Sequence, residues 1–251
     1  MEKSKKLSVW LLVFIAIGSM IGSGIFNSPK DLIGVANPQG AMITWLIGGF
    51  GAMMLALVFV YLNHKKPELQ SGIFDYAREG FGDYMGFNSA WGYWSMGWLG
   101  NISYLLLFFK TLNDILGENA LSPIACFIIG SGINWIYFFI ISAGIKEGAV
   151  TNLVVTFAKL IPILLVIILG VFIVQKGIFN ITDWKFTLAS TANPTTPALQ
   201  IKSAMAIVLW CFVGMEASSV LSGRAKSQKA VRYATIISFL TVLVVYILIT
   251  F

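Results

Sequence analysis

Apolar runs of bilayer length, separated by short polar stretches, recur along the whole chain. About 20 apolar residues cross hydrocarbon as a helix, and runs at residues 8–32, 40–63, 84–112, 123–143, 149–174, 201–221 and 231–251 reach that order of length. They lack the two-residue alternation of lipid-facing strands, which excludes a transmembrane barrel. The pattern predicts an all-α, polytopic transmembrane protein with one membrane domain over residues 1–251. Pro29 and Pro38 mark the loop after the first run, and Pro123 opens the fourth. Within the polar connection 64–83, the segment Ser71–Ala77 reads as a short amphipathic helix at the interface. The connection 175–200, rich in Thr, Asn and Pro, is expected to be partly ordered at best.

Composition narrows the class. The chain is 57% hydrophobic and 11% charged, against roughly a quarter charged in soluble domains. The net charge of +6 does not point to nucleic acid, because the basic residues lie in the connections rather than along a groove with interleaved aromatics. They sort by side instead: Lys3, Lys5, Lys6, Lys65, Lys66, Arg78, Lys146, Arg224, Lys226, Lys229 and Arg232 outnumber Lys30, Lys110, Lys176, Lys185 and Lys202 opposite. The positive-inside rule then predicts a cytoplasmic N-terminus in an inner or plasma membrane, with residue 251 outside. The basic start followed by an apolar run imitates a signal peptide, but no small-residue cleavage site follows, and a retained first helix is expected. Cys126 and Cys211 fall inside apolar runs, with no Cys or His neighbours in metal-ligand spacing, so neither a disulfide, a metal nor a cofactor is expected. His64 beside Lys65 and Lys66 reads as a solvated residue at a helix end.

Two apolar runs contain stretches that make awkward helices. Gly18-Ser19-Met20-Ile21-Gly22-Ser23-Gly24-Ile25-Phe26 in the first, and Trp210-Cys211-Phe212-Val213-Gly214-Met215-Glu216-Ala217-Ser218-Ser219 in the sixth, place glycine and polar residues where lipid demands full backbone pairing. Either they are small-residue packing seams, or they are breaks whose bare amides favour an anion while bare carbonyls favour a cation. An amino acid carries both charges. Gly48, Gly49 and Gly51, with Ala52 and Ala56, form a further small-residue face suited to close packing. Lys159 and Glu216 are ionisable groups deep in apolar runs, where a charge costs at least about 2.5 kcal/mol. Each needs a partner or a cavity, and each is a candidate for coupling or proton exchange.

Gly22-Ser23-Gly24-Ile25-Phe26 resembles the signature of the amino acid, polyamine and organocation (APC) superfamily. Trp210-x-Phe212-x-Gly214-x-Glu216 resembles the sixth-helix motif of its basic amino acid/polyamine antiporter branch, and Trp98-Leu99-Gly100-Asn101 is similar to the third helix of arginine/agmatine and arginine/ornithine exchangers. The resemblance extends over all 251 residues. It implies a 5+5 inverted-repeat fold, cut after about seven helices, with the first and sixth discontinuous. It also implies that Ser23 and Gly24, with exposed backbone from Ser19 to Gly22, receive a substrate carboxylate. Carbonyls around Trp210, Val213 and Gly214 would receive the α-ammonium. Asn101 would bond the substrate's middle or distal portion, and Trp210 would close over its aliphatic part or hold a cationic group by cation–π attraction; a plain packing role for Trp210 stays open. Glu216 would couple occupancy to closure or carry a proton. Lys159 departs from the neutral residue of the agmatine exchanger and would stand where sodium binds in sodium-driven members, and Ser19 replaces an Asn.

The implied function is secondary active exchange of a basic amino acid for a related amino acid or amine. A proton-coupled symporter, favoured by Lys159, is the alternative within transport, and a non-transporting fragment is the alternative outside it. No nucleophile, base or metal set argues for an enzyme. Expected partners are the amino acid or amine substrate, membrane lipid, and either a second copy of the chain or a missing C-terminal half.

Overall fold

The computed structural model describes residues 6–142, 145–173, 186–187 and 194–250; for residues 23, 145–147, 149, 186–187 and 194–195 it describes the backbone alone. It is all-α in character. The helices are α1 (Val9–Met20), α2 (Ser23–Ile33), α3 (Pro38–Lys65), α4 (Ile73–Phe81), α5 (Asp83–Leu116), α6 (Pro123–Ser142), α7 (Ile145–Ile173), α8 (Pro197–Cys211), α9 (Ala217–Val220) and α10 (Gln228–Thr250). A two-residue antiparallel pairing, β1 (Phe186–Thr187) with β2 (Pro194–Thr195), is the strand content among the described residues. Most of the 175–200 connection lies outside those residues.

Among the described residues, four helices are long and apolar enough to cross a membrane, and the pair α1 and α2, bent by 41°, makes a fifth if taken as one span. Helix α5 has the length for crossing, but Trp, Tyr, Asn and Gly along it dilute its apolar character. Helix α8 is apolar and shorter, because the chain turns out of helical pairing after Cys211.

The chain divides into two compact units, residues 1–73 with 152–251, and residues 74–151. In the first, α1 packs along α10, α3 packs against both α8 and α10, and α2 lies against α8. Its core is aromatic. Trp45, Phe212, Phe239 and Tyr246 are fully buried, with ring centroids 5.9 Å apart for Trp45 and Phe212, 5.5 Å for Trp45 and Tyr246, and 5.1 Å for Phe212 and Phe239. Such pairs contribute about 0.5–1.5 kcal/mol each beyond area burial. The Trp45 indole donates to Thr250 Oγ1 at 3.1 Å, so the cluster does not leave that N–H bare.

The glycine face of α3 divides its work. A methyl group on Gly48 would come within 2.6 Å of Val208 on α8, and one on Gly49 within 2.8 Å of Leu243 on α10. Gly51 faces open space. At the other end of α3, His64 is exposed in the last turn, with its Nδ1 against the Arg232 guanidinium, and Asn63 donates to Gln228 Oε1 at 2.7 Å. Near the same end, Leu7 N–H donates to Arg224 O at 2.8 Å and Lys226 N–H to Leu7 O at 2.9 Å, a parallel pairing of the N-terminal segment with the loop after α9. Ser222 Oγ donates to Gln70 O at 2.7 Å beside it.

In the second unit, α5 and α6 form a hairpin stapled by Asn113, which accepts from Leu121 N–H at 2.8 Å and donates to Leu121 O at 3.3 Å. Gly130 lets the Phe109 ring approach α6. Helix α4 covers residues 73–81, displaced toward α5 from the segment 71–77 that the sequence suggests.

The division of labour on α3 is testable by thermal unfolding of purified variants. Gly48→Val is expected to destabilise by about 1–3 kcal/mol through overpacking, whereas Gly51→Ala should be neutral or stabilise by roughly 0.5–1 kcal/mol through helix propensity.

Candidate functional site

Both awkward stretches are breaks. Helix α1 ends at Met20, Ile21 and Gly22 leave helical geometry, and α2 restarts at Ser23 with extended Gly22 as its N-cap and no side-chain cap. The first amides of α2, at Ser23, Gly24 and Ile25, therefore lack the carbonyls a continuous helix would supply. Helix α8 ends at Cys211, and five residues of turn precede α9. Pairing there tightens to i→i−3, with Val213 N–H donating to Trp210 O at 3.2 Å, Met215 N–H to Phe212 O at 3.3 Å and Ala217 N–H to Gly214 O at 3.1 Å.

The two breaks face each other at close quarters. Gly214 has φ +108°, a conformation that L side chains rarely adopt, and a Cβ on it would lie 2.7 Å from the Ser19 carbonyl. Glycine is required here both by the dihedral and by the approach of α1. Gly24 packs against the Trp210 indole, where a Cβ would lie 3.1 Å from Cδ1, and against Cys211 Sγ. Trp210 itself stays half exposed. The amide end of α2 thus lies beside the carbonyl end of α8, which sets a locally positive main-chain surface next to a locally negative one.

Side chains from two other helices take up the carbonyls that the first break frees. Lys159 Nζ donates to Gly18 O at 3.2 Å and Ile21 O at 3.0 Å, so its charge rests between main-chain dipoles. One and two turns earlier on α7, Thr156 is buried and Asn152 half-buried, and both reach Phe14 O at the limit of hydrogen bonding, 3.5 and 3.4 Å. Gly18 leaves the space they occupy. Tyr246 from α10 donates to the first break from the other flank, with its hydroxyl 2.6 Å from Met20 O and 2.8 Å from Cys211 O.

The predicted site residues fall accordingly. Gly22, Gly24, Trp210, Gly214 and Glu216 come together around the breaks, with Lys159 behind α1. The backbone from Ser19 to Gly22, expected to lie exposed, is largely engaged: Ile21 N–H donates to Ile17 O, Gly22 N–H to Met20 O, and the Met20 and Ile21 carbonyls accept from Tyr246 and Lys159. The reason is that bare carbonyls at this depth cost several kcal/mol and draw in donors. The Ser19 hydroxyl turns back to Ile15 O at 2.9 Å while the residue remains exposed. Val213 is exposed. Glu216 is fixed by its own turn, its Oε2 accepting from Gly214 N–H at 3.1 Å. Asn101 is exposed on α5, in the second unit.

Sequence reasoning missed Asn152, Thr156 and Tyr246. The first two, with Lys159, follow the i, i+4, i+7 spacing of one helix face in an otherwise apolar run, a signal that could have found them. Tyr246 left none, because its partners are main-chain carbonyls.

The chain matches the amino acid permease family over residues 7–251. It is 39% identical to an arginine/ornithine antiporter of Pseudomonas aeruginosa, over 99% of this chain and 51% of that protein. It is 35% identical to an arginine/agmatine antiporter of Chlamydia pneumoniae, over 98% of this chain and 52% of that one. A putative arginine/ornithine antiporter of Escherichia coli strain K12 is 37% identical, over 98% and 54%. The chain spans about half the length of the curated relatives it matches.

Gly214→Ala should cost about 1–3 kcal/mol through strain at a dihedral that favours glycine, and more through its clash with Ser19. A lower unfolding temperature with retained helix content by circular dichroism is the expected result.

Proposed function

The chain belongs to the amino acid permease family, and on that footing we propose that this multi-pass membrane protein exchanges a basic amino acid, such as arginine, lysine or ornithine, for a related amino acid or amine by alternating access. The observation that carries the reading is the contact of Gly24 with Trp210. It sets the uncapped amides of α2 beside the carbonyl end of α8, and only a ligand bearing both charges is favoured by both surfaces.

In this proposal the substrate carboxylate meets the amides at Ser23 and Gly24, with Gly22 and Ser19 at the margin. The ammonium meets the carbonyl end formed by Trp210, Val213 and Gly214. Trp210 covers the aliphatic part and attracts a distal cation through its ring, worth about 0.5–2 kcal/mol. Glu216 couples occupancy to closure: its carboxylate braces the Gly214 amide, so any change in that turn is felt by the carboxylate and the reverse. The protein resides in the cell membrane with its N-terminus in the cytoplasm, as the basic connections favour.

Lys159 favours a second reading, proton-coupled amino acid symport. Its ammonium holds the Gly18 carbonyl of α1 and the Ile21 carbonyl just beyond it, so loss of a proton there would release the end of that helix.

The two readings separate in proteoliposomes. Antiport predicts that labelled arginine enters only when a counter-substrate is loaded inside, with no pH gradient applied; symport predicts uptake driven by an inward proton gradient into empty vesicles. Under antiport, Gly24→Val should lower exchange by at least about tenfold, because the added bulk meets Trp210 where the carboxylate is bound. Lys159→Met should abolish the proton-driven flux if symport operates.

A further inference from the structure

Two carbonyls that terminate broken helices converge on one phenol. Met20 is the last residue of α1 and Cys211 the last of α8, and the Tyr246 hydroxyl lies 2.6 Å from one carbonyl oxygen and 2.8 Å from the other. Both carbonyls sit at the negative end of a helix and lack the amide that a further turn would bring. Facing one another without a donor, they would repel. A phenol has a single proton to offer. Met20 O has a second donor in Gly22 N–H, at 2.9 Å, whereas Cys211 O has no other hydrogen bond among the described residues. The Tyr246 side chain is fully buried, with its ring centroid 5.5 Å from that of Trp45 and 5.7 Å from that of Phe212, the residue that begins the second break. The hydroxyl is therefore held in place by rigid neighbours, and the breaks are drawn to it.

We propose that Tyr246 is a positioning residue that ties the two helix breaks together, its hydroxyl fixing the spacing between the end of α1 and the end of α8. The amides of α2 begin three residues after Met20, and Trp210 directly precedes Cys211. The distance between the two carbonyls thus sets the distance between the positive and the negative main-chain surfaces. Tyr246 acts through Met20 and Cys211 and touches no substrate. The inference rests on the transport reading for its functional consequence, but the tie itself does not.

The experiment uses the intact gene product in nanodiscs, comparing wild type, Tyr246→Phe and Thr250→Val. Thr250 lies one turn from Tyr246 on α10 and bonds to Tyr246 O and the Trp45 indole, so its loss loosens the same cluster without touching the paired carbonyls. Amide hydrogen exchange is measured over residues 21–25 and 212–217, and L-arginine binding by calorimetry. Tyr246→Phe is expected to speed exchange in both segments together and to weaken arginine binding about tenfold, the scale of one lost buried hydrogen bond. Thr250→Val should lower the unfolding temperature while leaving both break segments and the arginine Kd unchanged.

Exchange that rises only around residue 246, or in both variants alike, overturns the tie. So does an unchanged Kd in Tyr246→Phe when wild type binds arginine. Failure of wild type to bind arginine would count against the transport reading, while the exchange data would still decide the tie. Should Tyr246→Phe not fold, the wild type labelled at tyrosine Cζ answers by NMR: a Tyr246 hydroxyl proton protected from solvent exchange upholds the proposal, and one exchanging like an exposed phenol overturns it.

Discussion

Hydrocarbon cannot hydrogen-bond a peptide group, and everything about the two interruptions follows from that constraint. A helix that stops inside a membrane leaves amides at one end and carbonyls at the other, each costing several kcal/mol if nothing meets them. In this chain the freed carbonyls of α1 are met by an ammonium from α7 and a phenol from α10. The turn after α8 satisfies itself by tighter i→i−3 pairing and a braced carboxylate. What stays open is the start of α2, which has no cap. An asymmetric pattern results at the first break, with the carbonyls freed at the end of α1 occupied and the first amides of α2 available.

That asymmetry is supported by packing that resists rearrangement. The aromatic cluster of Trp45, Phe212, Phe239 and Tyr246 links α3, α10 and the second break. Gly48 and Gly49 let α3 sit close enough to α8 and α10 for the rings to meet. Small residues drive such contacts in membranes because lipid provides no hydrophobic force between helices. Close packing on one side and polar satisfaction on the other hold the unwound segments where neither alone would.

The sequence made the fold class readable and marked both interruptions, since glycine and polar residues at mid-run leave two explanations in lipid, a packing seam or a break. Lys159 and Glu216 stood out for the same reason, by the cost of a charge. The partners of those groups were less readable. Glu216 bonds its own turn at Gly214 and Lys159 bonds main chain, and main-chain acceptors look alike at every position of a sequence. For that reason Tyr246 passed as one aromatic among many, and the Ser19–Gly22 backbone was expected to lie bare. Gly51 shows the converse error: it matched the small-residue pattern of Gly48 and Gly49 but faces open space, because a spacing rule does not say how wide a contact face is. The division of the chain into two units had no sequence mark.

The pairing of Leu7 with the loop at Ala225 joins the beginning of the chain to a segment made long after it. During synthesis the N-terminal strand must wait, its hydrogen bonds unmade, until α8 and α9 have been threaded into the bilayer. Closure of that pairing is a late, non-local event whose entropic cost falls after most local contacts exist. Assembly order is thereby written into the structure: Leu7 is secured only after its much later partners at Arg224 and Lys226 are in place.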